Sequence, residues 1–209
     1  MEVNSLLNLG GPIVYILLIL SIYALGVILY KLHVFYKVKF FQDDLVSESI
    51  NLWSSEKQNE AYEQINHLKH PETEVLSFTM YQLLKHKKLT VKVESDIREE
   101  VLRLSDERLN FYKHKLDSLQ VIATIAPLLG LLGTVFGMIE AFQQMEQAGK
   151  NIDPSLLSGG IWEALLTTAA GLSVAIPIVV FESYFRSLVD KLKNNIESSV
   201  TKILTSDIN

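Results

Sequence analysis

The chain has 209 residues, 48% hydrophobic and 21% charged, with 19 Lys+Arg against 24 Asp+Glu, a net charge of −5 and no cysteine. No basic excess points to nucleic acid, and disulfides, thiol catalysis and cysteine-ligated metals are excluded. The charges are unevenly placed, and residues 3–30, 118–139 and 164–181 carry none. A bilayer core takes roughly 20 apolar residues in a helix, so each gap is long enough to span it or nearly so. That pattern excludes an ordinary soluble enzyme and a disordered chain. It predicts an all-α polytopic membrane protein, 1–209 as a single domain, with three transmembrane helices and long cytoplasmic helical extensions.

The first predicted span covers about 12–32 and opens after Gly10-Gly11-Pro12, a breaker cluster suited to a helix start. No Lys or Arg precedes it, unlike the basic start of a secretory signal, so it reads as a retained span. Lys31, His33, Lys37 and Lys39 close it, with Tyr30, Phe35 and Tyr36 as an interfacial aromatic belt. Its Ile, Leu, Val and Tyr content suits a helix that faces lipid. Residues 33–118 then read as a helical cytoplasmic segment. Helices are expected to start near Asp43 and Asp44, at Pro71 with Glu72 and Glu74 in the first turn, and after Leu89-Thr90. Val93, Ile97, Val101 and Leu104 recur at helical spacing, and Phe111, Leu116 and Leu119 carry the stripe onward with no Gly or Pro in the way. The helix from about 91 is therefore expected to run unbroken into the second span.

The second span covers about 119–142. A loop over 143–157 follows, with Gly149, Asn151, Asp153 and Pro154 as turn residues. The third span covers about 158–185, and a polar tail, 186–209, has Leu188, Leu192, Ile196 and Leu204 at or near helical spacing. All Lys and Arg except Lys150 fall in 31–118 and 186–209. Read by the positive-inside rule, the N-terminus lies outside and the large loop and tail are cytoplasmic.

Small residues recur every three or four positions in two spans: Ala126, Gly130, Gly133, Gly137 and Ala141 in the second, Gly160, Ala164, Thr167, Gly171 and Ala175 in the third. Lipid supplies no hydrophobic drive between helices, so close backbone approach through small residues is how spans associate. Gly130, Gly133, Gly137, Gly160 and Gly171 are thus expected to pack helix on helix, with Pro127 and Pro177 freeing backbone carbonyls and bending their helices. Glu163 lies about one turn inside the third span, where an ionisable group either snorkels to the surface or faces a water-filled cavity. Thr167 stacks four residues beyond it, Thr168 is turned to the neighbouring side, and Thr134 sits in the middle of the second span. Glu140 and Glu182 read as interfacial. The histidines show no metal pair, and no nucleophile–base pair or phosphate loop stands out. Neither a cofactor nor an enzymatic activity is expected.

The segments APLLGLLGTVFGMIEAF (126–142) and GGIWEALLTTAAGLSVAIPIVVFESYF (159–185) resemble the MotA/TolQ/ExbB proton-channel family, in its ExbB/TolQ branch. The likeness lies in GLLGTVFG (130–137), EALLTTAAGL (163–172) and the AIP at 175–177, and GGPIVYILLILSIYALGVILYKL (10–32) is similar to the family's first span. The resemblance implies a homopentamer in a bacterial inner membrane whose second and third helices line a pore. It places the pore-lining polar positions on Thr134, Glu163 and Thr168, with Thr167 beside them. It also implies a single-span ExbD- or TolR-like partner in the pore, whose membrane Asp carries the proton, and a TonB- or TolA-like protein energised by the motor. Glu140 departs from the family, where a neutral residue is common. Two alternatives stay open: a flagellar or gliding-type stator, and a non-conducting scaffold in which Thr134 and Glu163 tolerate replacement.

Overall fold

The computed structural model describes residues 11–37, 43–86, 90–148 and 154–206, which are 93% helical with no strand among them. In chain order the helices are α1 (Gly11–Lys37), α2 (Asp43–Ser54), α3 (Gln58–Ile65), α4 (Pro71–Lys85), α5 (Val91–Lys113), α6 (Leu116–Ala148) and α7 (Pro154–Ser206). Three of them, α1, α6 and α7, are long and apolar enough to cross a membrane. Gly10, Lys39, Leu89, Gly149, Lys150, Asn151 and Asp153, named above, lie outside the described residues.

The helix starts follow local chemistry. Gly11 adopts φ +58°, a left-handed value glycine takes without penalty, and Pro12 follows with its φ already set for a first turn. At α4, Pro71 occupies the first turn and the His70 ring nitrogen Nδ1 accepts from the Glu72 N–H at 3.3 Å. At α5, Thr90 Oγ1 accepts from the Val93 N–H at 3.4 Å. Asp43 opens α2 as expected, whereas the short α3 has no counterpart in the sequence reading.

The expected continuous helix from 91 into the second span is broken. Helix α5 ends at Lys113, His114 turns out at ψ 133° and Lys115 takes φ +69°. A left-handed non-glycine residue costs about 1–2 kcal/mol. Compensating contacts sit around it: the Lys115 ammonium lies 5.3 Å from the centroid of the Tyr30 ring, and Ser118 Oγ donates to the Lys115 carbonyl at 2.7 Å. Apolar periodicity does not register such a break, because two ordinary polar residues change dihedrals while the stripe on either side keeps its phase.

The helices form two compact units. One comprises the chain up to Lys31 together with Lys115–Tyr184, and the other Leu32–His114 together with Phe185–Asn209. In the first, α1 is not wholly lipid-like: Ile13, Leu17, Ala24, Val27 and Ile28 are buried while Ile19, Ile22, Leu25 and Leu29 are exposed. Ile13 and Leu17 pack with Ala126 of α6 and Ala175 of α7. Lys31, expected as a flanking surface charge, is buried.

In the second unit α5 buries Ile97, Val101, Ser105, Leu109 and Tyr112. Phe111 stays 59% exposed, so Tyr112 and not Phe111 continues the stripe. Phe35 belongs to this core and not to an aromatic belt, because its ring stacks on Phe185 at 5.3 Å and meets Tyr112 at 5.9 Å. The polar tail is helical as expected, but it is the direct continuation of α7, burying Val189, Leu192, Ile196, Ile203 and Leu204. The Glu72 carboxylate is buried here and accepts from Ser199 Oγ at 2.9 Å.

Candidate functional site

The site lies in the first unit, where α6 and α7 run antiparallel with almost nothing between their backbones. Gly137 faces Ala164, Gly133 faces Thr167, and Gly130 faces Thr168 and Gly171. A Cβ added at Gly130 would stand 2.9 Å from the Thr167 carbonyl oxygen, and one at Gly133 would stand 2.5 Å from Thr167 Oγ1. At Gly171 it would meet the Ala126 carbonyl oxygen at 2.5 Å, and at Gly160 it would strike the Ala141 methyl. Each partner steps three or four residues along one helix as its mate steps back along the other. That is the register small-residue stripes produce when they close on each other. Pro127 and Pro177 lie inside α6 and α7 without ending them.

This proximity brings two threonines onto one acceptor. Thr167 Oγ1 and Thr168 Oγ1 each donate to the Gly130 carbonyl oxygen across the interface at 3.2 Å, and Thr167 also reaches the Ala164 carbonyl at 2.7 Å. Thr167 is 3% exposed and Thr168 half-buried. Thr134 stands apart, half-buried, its hydroxyl donating to the Leu131 carbonyl of its own helix at 2.6 Å. Every one of these hydroxyl protons is engaged with a backbone carbonyl. What the oxygens present outward is lone pairs, able to accept from water or a hydrated proton.

Glu163, half-buried, lines a cleft of about 180 Å³ whose walls are Gly133, Phe136, Gly137 and Glu140 of α6, Glu163 and Thr167 of α7, and Gly11, Pro12 and Ile13 of α1. The structure therefore joins Glu163 and Thr167 in one cleft, links Thr168 to them through the Gly130 carbonyl, and leaves Thr134 outside. Glu140, read from sequence as interfacial, shares the cleft, and Gln144 Nε2 donates to its Oε1 at 3.5 Å. The signal was in the stripes: closing them antiparallel on Gly137–Ala164 brings Glu140 within a turn of Glu163. Phe136 and the Gly130 carbonyl carried no such signal. Among the described residues no group of His, Asp and Glu is arranged to hold a metal.

The pattern of the MotA/TolQ/ExbB proton channel family matches residues 68–198, more than half of the chain. The chain belongs to that family. The matched stretch holds every threonine of the site together with Glu140 and Glu163, while α1 lies outside it. Among its relatives is the biopolymer transport protein ExbB homolog of Methanothermobacter thermautotrophicus, 29% identical over 190 residues, which cover 90% of this chain and 64% of that protein. Biopolymer transport protein exbB1 of Vibrio cholerae is 34% identical over 112 residues, 53% of this chain and 49% of its own. The Tol-Pal system protein TolQ of Haemophilus influenzae is 28% identical over 141 residues, 61% and 59%. These names put the chain on the ExbB/TolQ side of the family. The chain spans about half to just under two thirds of the length of these relatives.

Proposed function

We propose that this chain, acting as one channel domain, is the proton-channel subunit of an ExbB/TolQ-type motor in a bacterial inner membrane. Protons pass along α6 and α7, by way of the Glu163 cleft and the threonine oxygens, and their fall in free energy drives movement of a partner. The observation that carries this reading is the line of carboxylate and hydroxyl oxygens at the closest approach of two membrane-length helices. Lipid-facing packing alone has no use for an ionisable group at that depth. Each proton crossing supplies about 2.3 kcal/mol per 100 mV. The distribution of Lys and Arg supports an N-terminus outside, with residues 33–118 and the tail in the cytoplasm.

Several copies form the pore. Identical chains packed head to tail close into a ring, here a pentamer as the family resemblance implies, and set Thr134, Thr168 and Glu163 around one axis. Glu163 and Glu140 share a cleft towards one end of the helix pair and the Thr do not titrate, so a single-span ExbD- or TolR-like partner brings the central carboxylate that loads and releases the proton. A TonB- or TolA-like protein receives the motion.

Proton uptake into dye-loaded liposomes holding the chain and its partner tests the reading. Thr134→Val and Thr168→Val keep the shape and remove the hydroxyl, and each is expected to slow flux about tenfold or more, with Thr→Ser retaining it, as loss of a water-replacing group in a narrow path requires. Normal flux in both Val variants would leave the scaffold reading in its place.

A further inference from the structure

We infer that Glu140 is the entry carboxylate of the proton path, the group that takes a proton from the outer solution and passes it across the cleft to Glu163. This rests on the proposed function and deepens it, since the family resemblance places no pore-lining residue at this position. Glu140 stands on α6 between two points where the helix pair closes, Gly137 against Ala164 and Ala141 against Gly160. Glu163 stands on α7 between the same two contacts. The two carboxylates therefore share one level of the pair. Both line the same cleft, so both project to the side that the start of α1 walls with Gly11, Pro12 and Ile13. Those three residues bring no charge or titratable group. The cleft, about 180 Å³, has room for several waters, each of which takes ~30 Å³ in the liquid. One water between the carboxylates is enough to carry a proton from one to the other.

The cleft is the middle of a longer polar line. On its outer side Gln144 Nε2 donates to Glu140 Oε1 at 3.5 Å, and Oε2 has no partner among the described residues. On its inner side Thr167 Oγ1 donates to the Gly130 carbonyl, which Thr168 also reaches. Exposure falls along this line: Glu140 is exposed, Glu163 half-buried and Thr167 buried. Glu140 is thus the acceptor that joins open solvent to the cleft. In the first step its Oε2 takes a proton from a hydronium ion and releases water. The Glu140 O–H then gives its proton to a water in the cleft as that water gives one of its own to a Glu163 oxygen. Glu140 is left as the carboxylate it began as, and the proton travels on from Glu163 to the partner's carboxylate.

Proton uptake into dye-loaded liposomes holding the chain and a cysteine-free partner tests the assignment. Glu140→Gln keeps the size of the side chain and an acceptor for Gln144. It is expected to melt as wild type does and to slow uptake about tenfold or more, as loss of a positioned proton-transfer group requires. Glu140→Asp retains most of the uptake. The chain has no cysteine, so Glu140→Cys introduces its only thiol. Carboxyethyl methanethiosulfonate, applied from the side of the N-terminus, puts a carboxylate back on that thiol and is expected to restore uptake. The neutral hydroxyethyl reagent, of similar size, is expected to leave it slow. Unchanged uptake in Glu140→Gln, or equal restoration by the neutral reagent, would overturn the role of Glu140 and leave the proposed function standing. No uptake by wild type with its partner would overturn the proposed function, and this inference with it.

Discussion

At the residue scale, the same amino acid does opposite work in different places. Gly133 is a packing residue, because any Cβ there meets Thr167 Oγ1 at 2.5 Å and Thr167 Cβ at 2.6 Å, whereas Gly26 faces open space. Gly133→Ala is therefore expected to cost about 1–3 kcal/mol through overpacking, read as a lower melting temperature in detergent, while Gly26→Ala melts at or above wild type. Equal melting of the two variants would mean that α6 and α7 do not close on these glycines. The threonines divide in the same way. Thr167 is buried and clamps α7 to the Gly130 carbonyl, so Thr167→Val is expected to lower stability as well as flux. Glu163 lines its cleft half-buried, and Glu163→Ala is expected to reduce proton-dependent activity while insertion and assembly persist. Wild-type activity in that variant would reduce Glu163 to a side chain snorkelling at the surface.

Among the elements, helix ends carry information that composition hides. After α2, the Lys57 N–H donates to the Leu52 carbonyl at 3.1 Å around Glu56, which sits at φ +62°. That is the left-handed position following a helix, which glycine fills most readily. Replacing Glu56 by Gly is expected to stabilise the protein by about 1 kcal/mol, the left-handed penalty removed, raising the melting temperature with no effect on transport. A drop in melting temperature would show that the Glu56 side chain contributes more than its backbone costs. The break between α5 and α6 is the same physics at Lys115, with the difference that Lys115 has an aromatic ring to sit on.

For the whole molecule, the exposed apolar surface of α6 and α7 is the feature to explain. Leu128, Leu131, Val135 and Phe136 on α6, and Leu165, Ile176 and Val180 on α7, are all 48% exposed or more. In a bilayer such residues meet lipid or another copy, and the proposed ring assigns part of them to copies. Native mass spectrometry is expected to give a closed oligomer of five, and liposome flux is expected only when the partner is co-reconstituted. A stable monomer, or flux from this chain alone at the rate of the pair, would defeat the ring-and-partner proposal.

Much of this was legible in the chain itself. The charge-free stretches 118–139 and 164–181 fall within two membrane-length helices and residues 11–30 of the first stretch within the third, because a bilayer excludes charge over a fixed thickness and the sequence must respect it whatever the tertiary fold. The small-residue stripes were equally plain, since small residues, here Gly, Ala and Thr, allow backbones to approach so closely. Pairing was another matter. That Glu140 shares a cleft with Glu163, that two threonines converge on Gly130, that Phe35 stacks on Phe185 and that Lys31 is buried all depend on which faces meet, and periodicity specifies a face without naming its partner. The turn at His114-Lys115 was least visible, because its cost is set by backbone dihedrals and offset by Tyr30, far away in the chain. Sequence alone determined how often the chain crosses a membrane and which residues can lie at a close helix contact; only the tertiary structure decided which polar groups share a space, because that is fixed by contacts between distant residues.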